Sequence, residues 1–232
     1  GHGFGGYSAA FCFFFETKKA LNAGASQLVT FTQLLKDGGG ACGPFLWWNN
    51  LFRSLNEKIM RQTKNAGTSL TVSLVRDGVI LTVHVGDSQS RVFRADGGQS
   101  KTLAVPHRPT EKHERIRLQR SDARILNKRL VTGFGSLAMS RALGYPEGGD
   151  ILCEPNISRY VVTPNDRFLV IGTDGLSDVL FERMLLRNKI EQELSDLQSA
   201  SAASEYLSDM IFKNGGFVDN TTYAVVDLYE NR

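Results

Sequence analysis

The spacing of apolar residues predicts helices at the start of the chain. Residues 7–37 are dense in apolar side chains and predict helical structure. Leu51, Leu55 and Ile59 recur every four residues, which places them on one helix face and predicts a further helix over about 44–61. A glycine-rich loop separates the two helical stretches. Together these patterns predict that the first quarter of the chain is helical.

β-Branched and apolar residues then replace the helical spacing and predict antiparallel strands. Residues 69–75 and 79–85 flank the dipeptide Asp77-Gly78, which is typical of the tight turn of a hairpin. Residues 90–94 and 100–105 predict a second hairpin around another glycine-containing turn. Because these strands follow one another with short connections, the pattern indicates a meander.

The second half of the chain predicts strands and helices in irregular order. In chain order these are a helix at 111–119, a glycine- and serine-rich loop leading into a helical turn at 133–144, strands at 157–163 and 167–172, helices at 182–197 and 200–214, and a strand at 222–229. Because helices lead, strands follow and helices return, the order indicates an α+β class rather than regular βαβ alternation. We predict one domain over 1–232, with antiparallel sheets packed together and helices outside.

Composition excludes several classes of protein. Apolar residues make up 41% of the 232 residues and charged residues 22%, as in ordinary globular domains. The three cysteines, Cys12, Cys42 and Cys153, form no CxxC motif and no cluster with histidine, which argues against a disulfide framework and a zinc site. The formal net charge of +3 is too small to indicate a nucleic-acid-binding protein. No apolar run is long enough to predict a membrane span.

Acidic residues lie where predicted strands end or begin. Asp87 and Asp174 each follow a strand, Asp178 comes four residues after Asp174, and Asp219-Asn220 precedes the last strand. Converging carboxylates bind hard divalent cations such as Mg²⁺ and Mn²⁺. Each of these acids alone is equally typical of a turn or a helix N-terminus, so only the set indicates a metal centre.

Six local sequences sharpen this interpretation. They are Gly1-His2-Gly3 before a glycine pair, Ala66–Ser69 with Val85–Ser88, His107-Arg108-Pro109 with Glu114 and Arg115 after it, Leu137–Gly144, Phe168–Leu180, and Asp219–Thr222. In this order they resemble the motifs of the metal-dependent protein phosphatases of the protein phosphatase 2C type. The resemblance covers nearly the whole chain, so it is more specific than any single motif.

The resemblance implies a fold and a reaction. The expected fold is a β-sandwich of two antiparallel sheets flanked by α-helices, in four layers. The expected activity is dephosphorylation of phosphoserine and phosphothreonine in proteins, by a water bridging two Mg²⁺ or Mn²⁺ ions. The resemblance also assigns roles, in which Asp174 and Asp219 ligate the metals, Gly1 offers its carbonyl, His2 is the general acid and Asn220 orients Asp219. A third, weaker metal site would use Asp87 with Asp174 and Asp178.

The sequence also departs from the family pattern. The Asp that begins the family's first motif would precede Gly1, together with upstream strands, so we expect the sequence to be N-terminally incomplete. Pro106, Tyr145 and Ser177 replace the family's usual Asp, Asp and Trp. These departures favour an outlying enzyme, with a catalytically inactive pseudophosphatase that binds proteins as the alternative.

The remaining expectations concern partners and location. We expect phosphoprotein substrates, no nucleic-acid or membrane partner, a monomer, and an intracellular location in cytoplasm or nucleus. Residues 108–129 hold eight Lys and Arg against three Asp and Glu. This stretch is interpreted either as a solvated face or as an attractor of acidic or phosphorylated substrates.

Overall fold

The computed structural model describes residues 2–3, 42–63, 66–133, 135–146, 149–215 and 219–229, with side chains from residue 46 onward. The helices predicted within 7–37 lie outside these residues. The chain divides into two compact units, which are described in turn. The first comprises 1–70, 83–87 and 106–157, and the second 71–82, 88–105 and 158–232. The single domain expected over 1–232 remains a prediction.

The described residues form five helices and twelve strands. The helices are α1 (Cys42–Gln62), α2 (Lys112–Arg120), α3 (Asp174–Leu180), α4 (Met184–Asp196) and α5 (Ala200–Asn214). The strands are β1 (His2–Gly3), β2 (Ala66–Gly67), β3 (Leu70–Arg76), β4 (Val79–Val85), β5 (Gln89–Arg94), β6 (Lys101–Ala104), β7 (Ile125–Leu126), β8 (Arg129–Thr132), β9 (Gly135–Leu137), β10 (Asn156–Val161), β11 (Asp166–Gly172) and β12 (Tyr223–Asp227).

Two antiparallel sheets form the body of the second unit. One has the strand order β10-β4-β3 and the other β12-β11-β5-β6. An apolar cluster joins them, with Ile80 of β4 packed among Val92, Leu103 and Leu169 of the four-stranded sheet. Because side chains alternate along a strand, the inward residues of both sheets meet in this layer. The predicted sandwich of antiparallel sheets is therefore confirmed.

Helices cover the outer face of the four-stranded sheet. Phe168 and Val170 of β11 point to the side opposite Leu169 and pack with Phe93 against residues of α3, α4 and α5. Ile190 of α4 is completely buried in this layer. Helix α5 begins where Ser199 accepts a hydrogen bond from the N–H of Ala202, a typical N-cap. The helices predicted at 182–197 and 200–214 are confirmed, and α3 is an additional helix between them and β11.

The first unit has a smaller core around α2 and a three-stranded sheet. The sheet has the order β7-β8-β9, and Leu118 of α2 packs against Leu130 of β8, Met139 and Tyr145. Helix α1 buries Trp48, Phe52, Leu55 and Ile59, which share one face of the helix. The helix predicted over 44–61 is thus confirmed.

Two predictions of local structure are wrong. The four strands from 70 to 104 do not form one meander, because β3 and β4 belong to one sheet and β5 and β6 to the other. The helical turn expected within 133–144 is absent from the described residues of that stretch. Strand β9 occupies its start, and Arg141 and Leu143 form isolated bridges to Leu152 and Thr68. Long-range pairing therefore overrides the local preference for helix.

None of the described helices is long and apolar enough to cross a membrane.

Candidate metal centre

The carboxylate of Asp174 lies where β11 gives way to α3. The strand ends at Gly172 and the helix begins at Asp174 itself. One carboxylate oxygen, Oδ1, accepts a hydrogen bond from the N–H of Gly175 at 3.0 Å. The side chain is half-buried. The backbone N–H of the next residue therefore restrains this carboxylate at the first turn of α3.

Hydrogen bonds tie the segment before β12 to this turn. The N–H of Thr173 donates to the carbonyl of Thr222 at 3.0 Å, and the N–H of Thr222 donates to the Thr173 hydroxyl at 3.2 Å. The same hydroxyl donates to the carbonyl of Asn220 at 3.3 Å. Asp174 directly follows Thr173, and Asp219 directly precedes Asn220. The fold therefore brings together the two segments that carry these acids, which are 45 positions apart in the sequence.

The absence of a side chain at position 175 permits this approach. A Cβ atom on Gly175 would lie 2.6 Å from the hydroxyl of Thr221 and 2.7 Å from the carbonyl oxygen of Asn220. Such separations are below van der Waals contact, so the glycine allows the two segments to touch. Gly175 is thus part of what brings the two acids to one place.

Asp219 and Asp178 are both exposed to solvent. Oδ1 of Asp219 accepts a hydrogen bond at 2.7 Å from the backbone N–H of Asn220, so this neighbour restrains the carboxylate through its main chain. Asp178 comes one turn after Asp174 on α3, which places both on the same face of the helix. Three predicted metal ligands therefore lie in the second unit.

The donors of this site suit a hard cation. Asp174, Asp178 and Asp219 offer carboxylate oxygens, and Mg²⁺ is usually held by one or two carboxylates together with several waters. Among the described residues, no group of three or more His, Cys, Asp or Glu side chains is close enough to hold an ion by itself. The residues present therefore fit a site completed by water, backbone oxygen or substrate phosphate. Gly1, the predicted carbonyl donor, lies outside the described residues.

Asp87 lies in a sharp turn of the first unit. Gly86 adopts φ +96°, and a Cβ atom there would lie 2.4 Å from the Cβ of Ser69. Both facts require glycine before Asp87. The carboxylate is buried, and the guanidinium Nε of Arg108 lies 4.0 Å from its Oδ2. The predicted third-site ligand is therefore a buried carboxylate facing a cation.

His107 holds this turn from both sides of the peptide backbone. The ring Nδ1 of His107 accepts a hydrogen bond from the backbone N–H of Gly86 at 3.1 Å. The backbone N–H of His107 donates to the carbonyl oxygen of Gly86 at 2.9 Å. The ring stacks on His84 with 4.5 Å between centroids. Burial, followed by the charges of His84 and Arg141, lowers the pKa of His107 to about 2, so the ring is neutral and can accept. The sequence motif that contains His107 did not indicate this role.

Replacing His107 by Leu should destabilise the protein by about 1–3 kcal/mol, because the buried N–H of Gly86 then lacks its acceptor. His107→Asn is the matched control, since its Oδ1 stands near the position of Nδ1 and should retain part of the stability. Urea unfolding of both variants measures the difference. Equal free energies of unfolding for the two variants would contradict the assigned hydrogen bond.

Strand pairing brings the backbone of His2 towards the same turn. His2 pairs with Gly67 and Gly3 with Ala66 in an antiparallel ladder. Ser69 follows two residues after Gly67, about 7 Å along an extended chain, and lies against Gly86. A Cβ atom on Gly67 would clash with the ring of Tyr145 at 2.1 Å. The first unit therefore places the predicted general acid and Asp87 on neighbouring segments.

Glu114 forms a buried ionic network with two arginines. The sequence patterns pointed to acidic residues as metal ligands and did not predict this network. Oε1 of Glu114 accepts hydrogen bonds from Arg141 Nη2 at 2.6 Å and Nε at 2.9 Å. Its Oε2 accepts from Arg117 Nη2 at 2.9 Å and from the Ser140 hydroxyl at 2.8 Å. Arg117 also donates to the carbonyl oxygen of Ser140 at 3.0 Å. The carboxylate is thus satisfied on both oxygens and joins α2 to the segment around Ser140.

Comparison with known proteins assigns the family. The family model described as Protein phosphatase 2C matches residues 49–219. This match spans more than half of the chain, from α1 to the start of the segment before β12. The chain therefore belongs to the protein phosphatase 2C family, as its motifs predicted.

Relatives at the sequence level are themselves phosphatases of this type. Protein phosphatase 2C 7 of Arabidopsis thaliana is 28% identical over 187 residues, covering 73% of this chain and 36% of the relative. The human integrin-linked kinase-associated serine/threonine phosphatase 2C is 29% identical over 200 residues, covering 76% of this chain and 50% of the relative. The chain spans about half the length, or less, of these two curated relatives.

Solved structures support the fold. A serine-threonine phosphatase 2C from Toxoplasma gondii superimposes with a TM-score of 0.57 at 20% identity, covering 77% of this chain and 65% of that one. A sex determining protein of C. elegans gives a TM-score of 0.62 at 20% identity, covering 78% of this chain and 46% of that one. At 20% sequence identity, these structural matches show the fold alone, and they confirm the predicted α+β architecture.

Proposed function

We propose that this chain is the catalytic part of a metal-dependent protein phosphatase that hydrolyses phosphoserine and phosphothreonine in proteins. The observation that supports the proposal is the network of hydrogen bonds around Thr173, which joins the segment of Asp174 to the segment of Asp219. Membership of the protein phosphatase 2C family agrees with this chemistry. The likeness of curated relatives named as serine/threonine phosphatases points to the same substrates.

Asp174 and Asp219 would hold the catalytic cations, which we infer to be two Mg²⁺ or Mn²⁺ ions. When bound, such ions acidify a water that attacks phosphorus and offset the negative charge of the phosphoryl oxygens. Glycine at position 175 allows the two carboxylate-bearing segments to touch, which supports a site that is arranged before substrate binds. Asn220 restrains Asp219 through its backbone N–H.

The other predicted residues would complete the reaction. His2 would donate a proton to the departing serine or threonine oxygen, which cannot leave readily as an alkoxide. Gly1 would contribute its carbonyl oxygen. Asp87 and Asp178, with Asp174, would bind a weaker third cation. The protein would act as a monomer inside the cell, in cytoplasm or nucleus.

The first experiment measures hydrolysis of a phosphothreonine peptide by the full-length protein, including whatever precedes Gly1. We expect phosphate release with Mn²⁺ that falls to background when EDTA removes the ion, because the carboxylates alone cannot activate water. Circular dichroism before and after EDTA controls for loss of fold. Folded protein that releases no phosphate in either condition would contradict the proposal and favour the pseudophosphatase.

A further inference from the structure

Helix α2 presents a row of cations to solvent in the first unit. Lys112, Arg115 and Arg120 are exposed, and at 100° per residue they fall within the same 140° arc of the helix, together with Ile116. Ile116 is 39% exposed between them. The buried residues of the helix, Glu114 and Leu118, lie on the opposite side. The helix therefore has an inner face committed to packing and an outer face that is cationic with an apolar centre.

The hairpin of β7 and β8 extends this cationic face. Arg124, Lys128 and Arg129 are exposed, and so are the apolar side chains of Ile125 and Leu126. Asn127 and Lys128 both have positive φ, 50° and 65°, which is the conformation of a tight two-residue hairpin turn. Leu118 and Leu130 share one core, so the hairpin and the helix pack as one body.

These six residues, Lys112, Arg115, Arg120, Arg124, Lys128 and Arg129, are here named the basic surface. None of them lies within ion-pair distance of an acidic group in the part of the chain that the structure describes. Between 112 and 137 the exposed acidic side chain is Asp122, because Glu114 is buried and already paired with two arginines. Within the described residues, the basic surface therefore carries positive charge that no acidic side chain at ion-pair distance offsets.

The basic surface begins close to a residue of the candidate site. Arg108 contacts Asp87, and the carbonyl of Arg108 accepts a hydrogen bond from the N–H of Glu111, the residue before α2. The nine residues of α2 span about 13 Å, a length that about four extended residues of a bound peptide would match. Residues that flank a phosphorylated side chain near Asp87 can therefore reach the basic surface.

We propose that the basic surface selects phosphoprotein substrates whose phosphorylated residue is flanked by acidic or further phosphorylated residues. This inference rests on the proposed phosphatase activity. The charge of the surface complements such segments, and the exposed Ile116, Ile125 and Leu126 give apolar contact between the charges. The hairpin and helix share a core, so the backbone positions that carry the cations are fixed before the substrate binds.

The test compares three phosphothreonine peptides of equal length with acidic, neutral and basic flanks, in the full-length protein with Mn²⁺. We expect kcat/KM for the acidic peptide to exceed that for the neutral one by about 10-fold at low salt. The preference should shrink to about 2-fold at roughly 0.3 M NaCl, because salt screens exposed charges.

Variants locate the effect. The triple variant Arg115→Gln, Arg124→Gln, Lys128→Gln should lose the preference for the acidic peptide and keep its kcat/KM on the neutral peptide and on p-nitrophenyl phosphate. The matched control removes three exposed cations of the second unit, Lys101→Gln, Arg159→Gln and Lys189→Gln, and should keep the preference. Thermal unfolding checks that both triple variants are folded. Preference retained in the first variant, or lost in both, overturns the inference.

Binding separates this inference from the proposed function. Fluorescence anisotropy with a labelled acidic peptide, a single-stranded RNA and vesicles containing phosphatidylserine should give the strongest binding to the peptide, lost in the Arg115, Arg124 and Lys128 variant. Equal kcat/KM for acidic and neutral peptides overturns the inference and leaves the phosphatase standing. Absence of all hydrolysis with retained, variant-sensitive peptide binding overturns the phosphatase and supports the acidic partner. Stronger binding of RNA or vesicles overturns the acidic peptide as the occupant.

Discussion

Asp174→Asn and Asp219→Asn should each lower kcat/KM for a phosphothreonine peptide with Mn²⁺ by about 10²–10³-fold, the order lost when one preorganised charged group is removed from an active site. Asparagine keeps the side-chain oxygen that accepts from the N–H of Gly175 or Asn220, so the local turns should persist. What is lost is the negative charge that a divalent cation requires. Asp178→Asn, at an exposed position, should cost about 10-fold or less.

Mn²⁺ binding by calorimetry supplies a readout that does not depend on turnover. Asp174→Asn and Asp219→Asn should each bind Mn²⁺ more weakly than the unaltered protein. The control Asp196→Asn, at the exposed end of α4, should bind the ion as tightly as the unaltered protein. If neither Asp174→Asn nor Asp219→Asn weakens Mn²⁺ binding, the assigned metal centre is wrong.

Glu114→Gln should have the largest effect on stability among the changes considered, with a loss of about 3–5 kcal/mol in the free energy of unfolding. The glutamine has the same size, but it leaves Arg117 and Arg141, whose side chains are 23% and 13% exposed, without their counter-charge. The control is Glu57→Gln, which breaks the exposed helical pair with Arg61 and should change stability by less than about 0.5 kcal/mol. Urea unfolding of both variants measures the contrast.

The pH dependence of stability gives an independent check on Glu114. Burial by itself raises the pKa of this carboxyl, but the hydrogen bonds and charge of Arg141, together with Ser140 and Arg117, outweigh burial and lower it to about 2 from 4.5. The unfolded chain binds the proton first as pH falls, so the stabilisation is complete above about pH 4.5 and is lost progressively towards pH 2. Glu114→Gln should flatten this part of the curve. An unchanged curve would contradict the assignment.

Local sequence was sufficient for the two predicted hairpins, between residues 70 and 104, and for helices α1, α4 and α5. Asp77 and Gly78 have φ 48° and 72°, so the dipeptide forms the tight turn that its chemistry predicts. Helix α5 ends at Gly215, which has φ +127°, and begins at a serine cap, both of which are readable signals. Where neighbouring residues alone determine the backbone conformation, the local sequence is enough to predict it.

Distant partners explain what sequence patterns missed. Ser140 and Arg141 sit in a stretch that looks helical, but their side chains bind Glu114, 26 and 27 positions away. Strand β7 is two residues long and exposed on both, so no alternation of apolar and polar residues marked it. The nearby Asn127 was the available signal, because asparagine favours the positive φ found there.

The sequence predicted which residues belong to the candidate site. It did not predict the contacts that hold those residues in place. Motif order singled out Asp174, Asp219 and Asp87, whereas the hydrogen bonds of Thr173 and the contact at Gly175 emerge only when the segments meet. Tyr145, noted as a departure from the family's Asp, is buried against Gly67 and held through its backbone by Asn56 of α1. That departure therefore belongs to core packing, and burial raises the pKa of its hydroxyl.

Strand β11 contacts four neighbours at once: two strands, the second sheet and the layer of helices. It pairs with β5 on one edge and β12 on the other, Leu169 faces the second sheet, Phe168 and Val170 face the helices, and Asp174 follows its end. Adding or deleting one residue in the strand would exchange its two faces and also shift the acid relative to Asp219. In evolutionary terms, β11 can therefore change its side chains more readily than its length.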